Sequence, residues 1–188
     1  MDNDLDPHLT ESLIESRQAY AGDFLKVQRD SVRLPDGAMT TREYILHPGA
    51  VVILPVFDDG SILMERQFRY PLNRVFIEFP AGKIDPGEDP LACAKRELRE
   101  ETGYTARDWH FVCTIHNAIA YSDEHLDIYL ARGLSAGDSA LDEGEFLDVF
   151  TASLADLLTW VREGQITDVK TVIGIFWLEK IAKREWTV

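Results

Sequence analysis

Polar and apolar residues change their spacing several times along the chain. Residues 1–16 form a polar leader, with a short helix expected over 9–16. Three strand-like runs follow at 23–29, 30–34 and 41–46. Between the last two, Pro35-Asp-Gly37 reads as a hairpin turn. Residues 50–57 are almost all apolar, as in a strand buried on both faces. Asp58-Asp-Gly60 turns the chain into a strand over 61–69, and 75–79 is another short apolar strand. The period then becomes helical. Asp89 before Pro90 is a helix start, Leu91, Ala94 and Leu98 share a stripe, and Gly103 is a stop. Strands are expected at 109–116 and 126–131, a polar loop over 133–145 and a strand at 146–151. Helices over 153–163 and 168–183 close the chain. This order predicts a mixed α/β domain rather than regular βαβ units, with residues up to 46 as a small separate sheet.

With 188 residues and 45% hydrophobic content, the chain can bury one ordinary core with a small appendage. Its 19 basic and 33 acidic residues leave a net charge of −14, which excludes a basic footprint for nucleic acid. The apolar stretch 49–57 is too short to span a bilayer, so no membrane role is expected. The acidic start lacks the basic and apolar regions of a secretory signal. Cys93 and Cys113 make no disulfide framework and have no metal-site spacing. A reducing cytoplasm is the expected compartment.

The densest chemistry lies between Gly82 and Gly103. Glu97 and Glu101 are four residues apart and Glu100 is three from Glu97, so a helix crowds these carboxylates on one side. Like charges at that spacing cost a few tenths of a kcal/mol per pair. A divalent cation reverses the sign, and Mg²⁺ takes oxygen ligands while leaving room for substrate phosphates. The bland reading is a solvated face relieved by Lys95, Arg96 and Arg99, with Arg96 in reach of Glu100. The preceding loop favours the metal, because Ala81-Gly82 and Pro86-Gly87 build tight backbone beside the carboxylate stripe, with Glu88 just before the helix.

These residues resemble the Nudix box. Gly82, Glu88, Arg96, Glu97, Leu98, Glu100, Glu101 and Gly103 fill its fixed positions over residues 82–104, and Tyr104 stands where an aliphatic is usual. Arg66-Gln-Phe-Arg69 with Tyr70-Pro71, Glu78-Phe-Pro-Ala-Gly82, Arg42-Glu43 with His47-Pro-Gly-Ala50, and Asp142-Glu-Gly-Glu145 look like the ADP-ribose pyrophosphatase branch. Related nucleoside-diphosphate-sugar hydrolases share these shorter pieces.

The resemblance implies a Nudix-type α/β/α sandwich with a mixed sheet over 47–188. It also implies an N-terminal β segment over 1–46 that helps form a homodimer, with or without exchange between subunits. Glu97 and Glu101 are then Mg²⁺ ligands, with Glu100 nearby as a further catalytic carboxylate, the Ala81 carbonyl completing the site and Mn²⁺ as a substitute. Gly82, Glu88, Arg96 and Gly103 support the loop–helix geometry. The family places an acid at Glu78, facing metal or the terminal ribose. Arg69 ends a strand and offers a planar fork for a phosphate. Arg42 and Glu124 are candidate substrate contacts. Tyr20 and Phe24 lie where the family stacks adenine, though core packing is the simpler expectation for Phe24. The water-activating base is expected to be Glu145, then Glu143, then Glu124. His116 and His125 lack ligand spacing and read as structural.

The implied activity is Mg²⁺-dependent hydrolysis of the pyrophosphate in ADP-ribose, giving AMP and ribose 5-phosphate. The alternatives are another nucleoside diphosphate sugar such as GDP-mannose, or a sensor that binds without cleaving. The complete set of box acids speaks against a sensor.

Overall fold

In the computed structural model the described residues are 6–141 and 144–188. Two compact units emerge, one reaching to His47 and including Ala118–Glu124, the other made of Pro48–Asn117 and His125–Val188.

In the N-terminal unit, β1 (Ser12–Ala21), β2 (Lys26–Arg33) and β3 (Met39–Leu46) form an antiparallel sheet in that order. The turn before β3 closes with Leu34 N–H on Ala38 O at 2.8 Å, and Gly37 adopts φ 88°. The segment 118–124 joins this unit through a parallel bridge between Ile45 and Ser122. The helix expected over 9–16 is absent, because residues from Ser12 onward are paired in a ladder with β2. An isolated helix that short is marginal in water, so the ladder wins. The runs 23–29 and 30–34 are not two strands. Residues 26–33 make one strand, which pairs with β1 on one side and β3 on the other. Phe24 is 65% exposed rather than in the core.

The second unit is a mixed sheet between helices. Its strands are β4 (Ala50–Val56), β5 (Ile62–Arg69), β6 (Arg74–Glu78), β7 (Ala81–Lys83), β8 (Tyr104–Ile115), β9 (Leu126–Ala136) and β10 (Leu147–Ala152). The main order is β10-β5-β4-β9-β8, with β6 on β5 and β7 on β4. β4 and β9 run parallel, and the other pairings are antiparallel. The helices are α1 (Pro90–Thr102), α2 (Leu154–Arg162) and α3 (Val169–Ala182). Val51, Ile53 and Leu63 cluster with Cys93, Ala94 and Leu98 of α1. The alternate residues Val52, Leu54, Ile62 and Met64 cluster with Leu157 of α2 and Ile175 and Leu178 of α3. Burial on both faces is why β4 reads as an unbroken apolar run.

Local chemistry fixes α1. The Asp89 side chain accepts from Ala92 N–H at 3.0 Å and Pro90 occupies the first turn. Gly103, at φ 75°, caps the other end with its N–H on Arg99 O. The expected loop starts later than residue 133, because β9 pairs with β8 as far as Ala136 opposite Tyr104. β7 had no signal in the sequence. It is three residues long and centred on a glycine, against every strand preference.

Candidate active site

The site grows from the second half of α1 and the backbone of β7. The Glu101 carboxylate accepts from the Ala81 N–H at 3.1 Å. A Cβ at Gly82 would overlap the Glu97 carboxylate, so only glycine lets that side chain lie against β7. Arg96 organises the rest. Its Nε and Nη2 donate to Glu88 at 2.9 Å each, and its Nη1 donates to Glu97 at 2.7 Å and Glu100 at 3.0 Å. Glu88 also accepts from Asp85 N–H at 3.1 Å, closing the loop. The Arg96 hydrogen bonds hold the Glu88 carboxyl down at about 2. Cys93 donates to Lys83 O beneath this loop, and burial pushes its thiol up to about 12. The salt-bridged face expected as the bland reading therefore exists, but it is centred on Glu88, Glu97 and Glu100. Glu101 is buried and, among the described residues, has no Lys, Arg or His partner.

Strand β5 contributes a second wall. Glu65, Gln67 and Arg69 are spaced by two and share one face. Gln67 Nε2 donates to Glu145 Oε1 at 3.1 Å. Arg69 donates through Nε and Nη2 to the two Glu78 oxygens, both at 2.8 Å. Glu78 stands directly opposite Glu65 in the β5–β6 ladder. It also accepts from Lys170 of α3, which bonds Asp168 at 3.0 Å as well. Burial drives the Glu78 carboxyl up, but Arg69 and Lys170 outweigh it and hold it below the usual range.

The remaining carboxylates raise one another. Glu65 is fully buried and neither oxygen has a hydrogen-bond partner among the described residues. Burial, then the Glu78 charge, pushes it up to about 8. Burial, then the charges of Glu65, Glu97 and Glu145, pushes Glu101 up to about 10. Glu97 is raised by burial, against the pull of Arg96.

A cluster of buried carboxyl oxygens, only part of it paired by Arg96, suits a hard divalent cation. Among the described residues no group of three His, Cys, Asp or Glu side chains is already arranged to hold an ion. Mg²⁺ does not require one, because it takes one or two carboxylates and fills its shell with water and substrate phosphates. The donor chemistry and the unpaired Glu65 oxygens fit such an ion.

The structure thus gathers Ala81, Gly82, Glu88, Arg96, Glu97, Glu100, Glu101 and Gly103 around α1, and Arg69, Glu78 and Glu145 along β5. The Arg69 fork, read from sequence as a phosphate clamp, is closed on Glu78. Arg42 belongs to the N-terminal unit, paired with Glu11. Glu124 is in the same unit, 3.7 Å from His47. Glu143 lies outside the described residues. Sequence reasoning missed Glu65, Gln67 and Lys170. Counting back by two from Arg69 would have found the first pair, whereas Lys170 carries no local signal beyond its place after the cap residue Asp168.

Residues 46–171 match the NUDIX domain family, and residues 11–45 match the nucleoside diphosphate sugar hydrolase N-terminal domain. The chain belongs to the Nudix family and is a Nudix hydrolase. It is 39% identical over 173 residues to an ADP-ribose pyrophosphatase of Bacillus subtilis, covering 91% of this chain and 94% of that one. It is equally 39% identical over 171 residues to the methanol dehydrogenase activator of Bacillus methanolicus, covering 90% and 92%. A crystal structure of an ADP compounds hydrolase superposes with a TM-score of 0.84 over 96% of this chain and 98% of that chain, at 24% identity, which supports the fold. No helix among the described residues is long and apolar enough to cross a membrane.

Proposed function

We propose that the chain hydrolyses the pyrophosphate bond of ADP-ribose with Mg²⁺, releasing AMP and ribose 5-phosphate. The observation that carries this reading is a cluster of interacting carboxyls (Glu65, Glu97, Glu101, Glu145), with Glu65 unpaired and Glu101 lacking a cationic partner among the described residues, beside the Arg69–Glu78–Lys170 network. The Bacillus subtilis relative, an ADP-ribose pyrophosphatase, supports the substrate.

Glu97 and Glu101, with the backbone of Ala81, would hold Mg²⁺, and Mn²⁺ would substitute. Bound divalent ions supply charge neutralisation for the diphosphate and acidify a bound water. Arg96 fixes the Glu97 and Glu100 carboxylates so that they meet an incoming ion without rearranging. Glu145, held by Gln67, orients the attacking water and takes its proton. Arg69 keeps its Nη1 edge for a phosphate oxygen while Glu78 steadies the guanidinium. The water forms one P–O bond and the bridging P–O bond breaks.

The enzyme is proposed to act as a homodimer in a reducing compartment, the cytoplasm. Every residue of β1 is exposed, Leu13 at 61% and Ile14 at 50%, apolar surface that a second copy of the chain would cover. Cys93 and Cys113 are free thiols. Sedimentation at micromolar concentration should give twice the 21.3 kDa chain mass. A fully active monomer would refute the dimer.

A panel of nucleoside diphosphate sugars, assayed with Mg²⁺ and after chelation, tests the activity. ADP-ribose should have the highest kcat/KM and chelation should abolish turnover. A preference for GDP-mannose, or turnover without any divalent ion, would overturn the reading.

A further inference from the structure

Glu65 lies outside the Nudix box, in the middle of β5. It is fully buried, and neither carboxylate oxygen meets a donor among the described residues. A buried polar group left unpaired is costly. The cross-strand neighbour gives no relief, because Glu78 is itself an acid directly opposite. The nearby cations are engaged elsewhere. Arg69 closes its fork on Glu78, and Lys170 is shared between Glu78 and Asp168. Glu65 shares its strand face with Gln67, which holds Glu145, and its charge acts on Glu101 ahead of those of Glu97 and Glu145. A hard cation would satisfy both oxygens at once.

We propose that Glu65 is a direct carboxylate ligand, together with Glu101, of a divalent cation in this site, so that β5 supplies a metal ligand in addition to those of α1. The proposal rests on the metal-dependent reading above. It assigns a specific cost to β5, which keeps an unpaired acid in its core in order to raise the affinity of the site.

Mn²⁺ binding to the full-length chain, followed by electron paramagnetic resonance, tests it without reference to turnover. Wild type should bind Mn²⁺ and Glu101→Gln should lose most of that binding. Glu65→Gln, of the same shape, should bind at least about tenfold more weakly, the scale at which metal sites respond to losing a supporting group. Glu65→Leu, which suits the surrounding core, should behave the same way. In both Glu65 variants the metal-free melting temperature should equal or exceed that of wild type, while the rise on adding Mg²⁺ should shrink. Wild-type affinity and stoichiometry in Glu65→Gln and Glu65→Leu would overturn the assignment alone. A wild-type chain that takes up no Mn²⁺ would overturn the assignment and the metal-dependent reading together.

Discussion

Gln67 on β5 donates a hydrogen bond of 3.1 Å to Glu145, and the ladder pairs the same Gln67 with Leu147, two residues further along. The end of the acidic loop is therefore fastened to β5 by backbone and side chain at once. Gln67 thereby holds Glu145, whose charge acts on Glu65, Glu97 and Glu101. Replacing Glu145 by Gln should lower kcat by about 10²–10⁴-fold, the usual contribution of a general base, with little change in KM. Glu143→Gln and Glu124→Gln should do markedly less in the same steady-state assay. A Glu145→Gln enzyme that keeps its kcat would remove Glu145 from the reaction.

The contact between Gly82 and Glu97 yields a different test. In Gly82→Ala the new Cβ meets the end of a flexible side chain, so Glu97 swings aside and the fold survives. The displaced carboxylate should weaken Mg²⁺ binding by at least about tenfold, while circular dichroism stays unchanged. Wild-type Mg²⁺ affinity in Gly82→Ala would mean that Glu97 need not lie against β7.

Much of this is legible in the sequence. Asp89, Pro90 and Gly103 mark α1 because cap and helix-start chemistry is local, and Pro35-Asp-Gly37 and Asp58-Asp-Gly60 mark their turns for the same reason. The box acids could be named because one helix sets their spacing. Interactions that cross the chain were not legible. Residues 12–21 carry no sign of their β2 partner, so a strand reads as a helix. Glu65 looks like one polar residue at the end of an apolar run, and only the β5–β6 register shows that it faces Glu78. Lys170 is 92 residues from the Glu78 that it satisfies.

Stability should depend on pH in the opposite sense to that of a salt-bridged carboxylate. Glu65 and Glu101 have folded-state values raised to about 8 and about 10, so the metal-free native chain holds protons that the unfolded chain has already released. Stability is then greatest near the ordinary carboxylate range and is lost as pH rises through the raised values. The metal-free melting temperature should fall between about pH 5 and about pH 8. Saturating Mg²⁺ should flatten that slope, because the bound ion replaces the protons. A metal-free chain that grows more stable over this interval would contradict the buried-acid account.

Buried Glu101 is proposed to work by holding the ion on which hydrolysis depends. The most direct measurement is the turnover of ADP-ribose by Glu101→Gln at saturating Mg²⁺. Each tenfold in rate corresponds to about 1.4 kcal/mol, and losing a charged metal ligand removes several kcal/mol of transition-state stabilisation. Turnover should fall by about a thousandfold or more, with the melting temperature equal to or above that of wild type because a buried acid without a cationic partner has gone. A folded Glu101→Gln chain that still turns over ADP-ribose near the wild-type rate would contradict the claim.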